Sequence, residues 1–140
     1  MEKIVLRGRG AAKGVAHGKA LVGRGLLCFS SDVDVMTGVI GDPASQLKGQ
    51  SVAGKVLVFP MGKGSTGGPY GLYMLYKGGK SPRAIVNVEA DPITVSAAVI
   101  SHIPMVYKLD RDPLEIIETG DEVEVDGDRG TVTVTKRGTR

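Results

Sequence analysis

One cysteine, Cys28, stands in 140 residues, which excludes an internal disulfide and any zinc or iron–sulfur site built from this chain alone. Tryptophan is absent and aromatics make up 4% of the residues, so the core must rest on Val, Ile, Leu and Ala. The opening stretch MEKIVLRGRG lacks the apolar centre of a secretory leader, and no apolar run approaches the roughly 20 residues of a membrane span. A cytoplasmic, reducing location and no membrane partner are expected. The formal net charge of +3 is mild, and Lys and Arg cluster only briefly, at Arg7–Arg9 and Lys136–Arg140. Without aromatics between those cations, a nucleic-acid face is not expected.

What the chain has in excess is glycine: 21 residues, about twice the ~7% average, with no repeat period to account for them. Turns and close backbone approaches follow. The length suits one domain over residues 1–140 with a modest core.

The first third reads as β-rich, with short β-prone runs at Lys3–Leu6, Gly14–Val22 and Gly25–Ser30. Asp32-Val33-Asp34-Val35 alternates, then Gly38 and Gly41-Asp42-Pro43 signal a turn, and nothing from 36 to 54 resembles a stable helix. The middle third changes character. An apolar strand, Lys55–Phe59, leads through a glycine loop to a helix over Pro69–Lys77, with Pro69 at the first helical position and Gly78-Gly79 as the stop. Arg83–Val88 is a second strand. Asp91-Pro92 pairs an N-cap with a first-turn proline and opens a helix to about Ser101, followed by a strand at Ile103–Tyr107. The order β-α-β-α-β implies parallel strands. At the end, Glu122–Val125 and Thr131–Thr135 alternate strictly across DGDRG, a hairpin with its valines inward. The fold class expected is mixed α/β: a small parallel centre flanked by antiparallel pieces at both ends, barrel-like overall.

The loop PMGKGSTGGPYG contains Gly62-x-Gly64-x-x-Gly67, the spacing of a dinucleotide fingerprint, and Glu89 follows where a ribose-binding acid would sit. The position argues otherwise. More than 50 residues of β-like sequence precede it, and Pro69 and Tyr70 stand where small residues let a helix approach the sheet. The Gly-Lys-Ser/Thr order of a phosphate P-loop is also missing. A loop made only to turn needs one or two glycines. Gly62, Gly64, Gly67 and Gly68 instead flank Ser65 with almost no side-chain cover, as suits backbone N–H groups aimed at an anion beside an accessible hydroxyl.

GKVLVFPMGKGSTGG, then PRAIVNVEADPITVSAAVISHIPMV and TGDEVEVDGDRGTV, together with FSSDVDVMTGVIGDPASQLKGQSVAGKVLVFP, resemble the small subunit, or swivel domain, of the aconitase X family. The likeness covers nearly the whole chain. It implies a swivelling β/β/α fold and a dehydratase active only with a large subunit that carries an iron–sulfur cluster, of 4Fe–4S type. The FSSDVD segment is similar to that of archaeal members, which act on phosphomevalonate; bacterial and fungal relatives act on hydroxyproline. The implied reaction removes water from (R)-5-phosphomevalonate, a phosphorylated hydroxy acid, to give trans-anhydromevalonate 5-phosphate in the archaeal mevalonate route to isoprenoids.

The resemblance makes Ser65 the proton acceptor. A serine hydroxyl is a poor base in water, so the role demands concentrated positive potential around its oxygen. Lys63, Gly64, Thr66 and Gly67 are the accompanying substrate-binding candidates. Lys63 reads either as an orienting group for a substrate carboxylate or as a solvated cation. Ser30, Ser31, Asp32 and Asp34 read as a mouth facing the partner or as turn residues. His17 and His102 have no partner at triad spacing and read as structural. A non-catalytic carrier module is the other class, and it would need His17 as an exposed loop histidine.

Overall fold

The computed structural model describes residues 2–64 and 69–136. The elements run β1 (Lys3–Arg7), β2 (Arg9–Ala12), β3 (Val15–Val22), β4 (Val56–Phe59), α1 (Tyr70–Lys77), β5 (Ala84–Asn87), α2 (Pro92–Ile100), β6 (Met105–Tyr107), α3 (Pro113–Ile116), β7 (Glu122–Asp126) and β8 (Thr131–Thr135). The eight strands form one sheet in the order β1-β8-β7-β3-β4-β5-β6-β2. β4, β5 and β6 pair in parallel, while β7 and β8 form an antiparallel hairpin that β1 extends. The mixed α/β expectation holds.

β3 joins the two halves. Val15–Lys19 pairs antiparallel with β7, and Ala20–Val22 continues in parallel beside β4. The outermost strands, β1 and β2, are consecutive pieces of chain separated only by Gly8, so one bent N-terminal stretch forms both edges of the sheet. The two ends of the sheet are thus bridged by one stretch of chain in a barrel-like arrangement. It needs bare backbone where the β7–β8 turn crosses β2: a Cβ on Gly10 would run into the carbonyl of Gly127, and one on Gly127 into that of Ala12.

Strand burial follows from this layering. Val56, Val58, Ala84, Val86 and Val106 face an inner cluster with Leu6, Ala20, Ile117 and the hairpin valines Val123, Val125, Val132 and Val134. Leu57, Phe59, Ile85 and Met105 face the helices, against Leu72, Leu75, Ala97 and Ala98. The central strands are buried on both faces, which is why they read as unbroken apolar runs. The hairpin buries one face only and alternates.

Two sequence expectations shift. Gly25–Ser30 is not a strand: only Leu27 makes a bridge, to Gly62. Pro69 occupies the N-cap of α1 rather than its first helical position. β2 and the one-turn α3 carry too weak a pattern to read, four residues each. The Asp91-Pro92 start of α2 holds, with the Asp91 side chain accepting from the Thr94 N–H. Among the described residues, no helix is long and apolar enough to cross a membrane.

Candidate functional site

The glycine loop leaves the sheet at the carboxyl end of β4, the edge where parallel α/β sheets hold their ligands. Its root is fixed from several sides. The Phe59 carbonyl accepts from the Asn87 side-chain amide at 3.0 Å. The Pro60 carbonyl accepts from the Val88 and Glu89 N–H groups at 3.0 and 3.2 Å. Leu27 runs parallel alongside, donating to the Met61 carbonyl and accepting from the Lys63 N–H at 3.1 Å.

The strongest anchor is Asp91. One carboxylate oxygen accepts from the Gly62 N–H at 2.8 Å, and the other accepts from the Thr94 N–H at 3.0 Å. The carboxylate is buried, and this one side chain ties the loop to the first turn of α2. It also explains Gly62: a Cβ there would press on the Thr94 hydroxyl and on both Asp91 oxygens. The first glycine of the dinucleotide-like spacing is thus required by the packing of the chain's own side chains. Gly64 differs, with φ +75° and open space around a would-be Cβ. It needs glycine for its backbone conformation.

Beyond the loop, α1 has Pro69 at its N-cap, no side-chain cap among the described residues and no acidic residue in its first turn. No carboxylate there offsets the positive end of the helix dipole. Gly71 sits so close to the backbone of Phe29 and Ser30 that any side chain there would strike it. The Ser30 hydroxyl beside it is buried and has no hydrogen-bond partner among the described residues.

Lys63 projects from the root. Its ammonium lies 2.8 Å from the buried carboxylate of Asp32 and 3.5 Å from that of Asp42. The hydrogen bond to Asp32 raises the Lys63 pKa above its ordinary value; desolvation opposes it, and the charges of Asp32 and Asp42 add to the rise. The ammonium therefore stays protonated at any physiological pH. A cleft of about 430 Å³ opens beside it, lined by Arg24, Leu26, Asp42, Ser45, Leu47 and Lys63 among others.

A loop rooted between two parallel strands and an N-capped helix, on a sheet closed by its own N-terminal strand, is an arrangement other proteins share. The sequence profile described as the aconitase X swivel domain matches residues 5–134. This chain belongs to the aconitase X swivel-domain family. Similar members include the phosphomevalonate dehydratase small subunit of Methanosarcina mazei, 43% identical over 99% of this chain and 96% of that protein. That of Thermococcus kodakarensis is 46% identical over 95% of this chain and 98% of its own length. The crystal structure of Thermococcus kodakaraensis aconitase X in its holo form superposes with a TM-score of 0.89, at 44% identity, over 95% of this chain and 99% of that one.

Within this aconitase X swivel domain, the sequence candidates separate cleanly. Lys63 and Gly64 are on the loop root, whereas Ser65, Thr66 and Gly67 lie outside the described residues. Asp32 joins Lys63, and the Ser31 hydroxyl donates to Asp32 at 3.3 Å. Asp34 is a turn residue whose carboxylate accepts from the Met36 N–H at 2.9 Å. His17 lies within β3 opposite Glu124, on a strand rather than the loop a carrier histidine needs. His102 follows the far end of α2, at φ +57°, and packs its ring on Tyr76 at 5.8 Å. Glu89 is exposed. Two contacts had no visible signal. Asp42, an ordinary turn acid that also caps Ala44, reaches Lys63, and the Gly62 N–H donates to Asp91 across 29 residues.

Among the described residues, no three His, Cys, Asp or Glu side chains converge as a metal site, and Cys28 is buried. With one cysteine in the sequence, this chain does not fit an iron–sulfur cluster.

Proposed function

We propose that this swivel domain is the small subunit of a phosphomevalonate dehydratase, and that it supplies Ser65 as general base to an active site shared with a larger subunit. The reaction converts (R)-5-phosphomevalonate to trans-anhydromevalonate 5-phosphate and water. Near full-length similarity to proteins of that name supports the reading. The single observation that carries it is the root of the loop. Gly62 is held by Asp91 and Lys63 by Leu27 and Asp32, so the loop leaves the sheet from a fixed root that carries a protonated ammonium.

The chemistry follows from those parts. The Ser65 oxygen takes a proton from the carbon next to the substrate carboxylate, and the electron pair left behind forms the double bond as the C–O bond breaks. The hydroxide that leaves and the proton taken together make the water released. Gly64, Thr66 and Gly67 provide the N–H groups that stabilise a serine oxygen with alkoxide character, and Lys63 binds an anionic group of the substrate. The N-terminus of α1, with no acidic residue in its first turn, adds positive potential. In this reading the 4Fe–4S cluster and the remaining wall of the pocket belong to the large subunit, the complex is cytoplasmic, and the chain alone is inert.

Co-expression with the large subunit tests the proposal. Sedimentation should show a complex at micromolar concentration, and proton NMR should show a vinylic signal appearing from phosphomevalonate. Free monomers only, or turnover of hydroxyproline in place of phosphomevalonate, would overturn it.

A further inference from the structure

Lys63 is held by a carboxylate that is itself held. Asp32 is buried, one of its oxygens accepts from the Cys28 N–H at 2.9 Å, and the other accepts from the Ser31 hydroxyl at 3.3 Å. Its backbone is fixed as well: the Asp32 N–H donates to the Cys28 carbonyl at 2.8 Å, and its carbonyl accepts from the Gly41 N–H at 2.9 Å. The acid therefore has a set rotamer and position before Lys63 reaches it. The second carboxylate, Asp42, is more exposed and more distant, and one of its oxygens already caps the Ala44 N–H at 3.0 Å.

A lysine has a long flexible stem, and a partly exposed ammonium ordinarily samples many positions. Here the stem leaves a pinned backbone, and the head meets a fixed anion at 2.8 Å. Two acids on one ammonium leave the cluster net negative. Of the two contacts, the longer one, from Asp42, is the one a substrate anion can displace while Asp32 keeps its hold.

We infer that Asp32 is a positioning residue: its buried carboxylate holds the Lys63 ammonium at the mouth of the glycine loop, where that ammonium receives an anionic group of the substrate. The inference rests on the reading of Lys63 as a substrate-binding residue. Asp32 touches no reacting atom and acts only through Lys63.

Two measurements test it. In the assembled complex, Asp32→Asn should raise KM for phosphomevalonate about tenfold while lowering kcat much less, and Lys63→Ala should do the same. The double variant should be no worse than Lys63→Ala alone. Additive effects, or an Asp32→Asn complex with wild-type KM, would overturn the inference. The second measurement needs no substrate. Competitive acetylation of the full-length chain, read by mass spectrometry, should label Lys63 several-fold more slowly than the exposed Lys77, and Asp32→Asn should erase the difference. Equal labelling in the wild type would refute the hold. Absence of phosphomevalonate turnover by the complex would count against the functional reading alone, because the labelling result stands by itself.

Discussion

Asp91 offers a sharp test of how the loop is fixed, because asparagine and alanine remove different things from it. As a simple N-cap it would tolerate asparagine, which caps as well as aspartate. The structure gives it two donors, the Gly62 and Thr94 N–H groups, one on each oxygen. An asparagine has one oxygen, so its amide NH₂ must face one of those N–H groups and leave it unsatisfied. A buried, stranded donor costs about 1–3 kcal/mol. Asp91→Ala loses the cap as well, about 1 kcal/mol, for a total of about 2–4 kcal/mol. For a chain of this size each kcal/mol moves Tm by roughly 3–5 °C, so asparagine should lower it by about 3–15 °C. Urea unfolding followed by circular dichroism measures the change as a midpoint shift at constant slope, and amide exchange at Gly62 should accelerate in both variants. An Asp91→Asn chain within about 0.5 kcal/mol of wild type, with Gly62 exchange unchanged, would refute the second bond.

The two described glycines of the loop should fail for different reasons. Gly62→Ala drives a Cβ into Asp91 and Thr94 and should cost about 1–3 kcal/mol by overpacking, with loss of complex activity although Ser65 is intact. Gly64→Ala meets no neighbour and should cost about 1–2 kcal/mol through its positive φ alone, which thermal unfolding of the two variants compares directly. Lys136 donates to the buried Asp121 and lies near Glu118; burial pushes its pKa down, but those hydrogen bonds outweigh it and the net shift is upward from 10.5. Its contribution to stability is therefore complete below about pH 10.5 and is lost as pH rises through the higher folded value. Lys136→Met should cost roughly 1–3 kcal/mol at neutral pH, and urea midpoints across pH 7–11 should show the wild type converging on the variant at the alkaline end.

The parallel centre was legible because its strands are buried on both faces and its helices carry explicit boundaries: Gly78 after α1, and Asp91-Pro92 before α2. The hairpin was legible because one wet face forces alternation. β2 was not, since its Arg-Gly-Ala-Ala run owes its pairing to the barrel closure and not to β propensity. Gly25–Ser30 misled for the opposite reason. Its apolar Leu27, Cys28 and Phe29 are core residues of a loop whose shape is set by Asp32 and by the passing loop root, both tertiary facts. The site followed the same division. The serine among glycines stood out along the chain, while the acids that fix the loop, at positions 32, 42 and 91, are remote in sequence and resemble turn or cap residues.

The central claim is that Ser65 moves the proton. The direct measurement is deuterium exchange from solvent into the acidic carbon position of phosphomevalonate, together with turnover, by complexes assembled with wild-type and Ser65→Ala chains. If Ser65 is the base, the variant should fold and assemble normally, bind substrate with little change in KM, and lose kcat and exchange together by about 10²-fold or more. A Ser65→Ala complex that retains wild-type exchange and turnover would contradict the account.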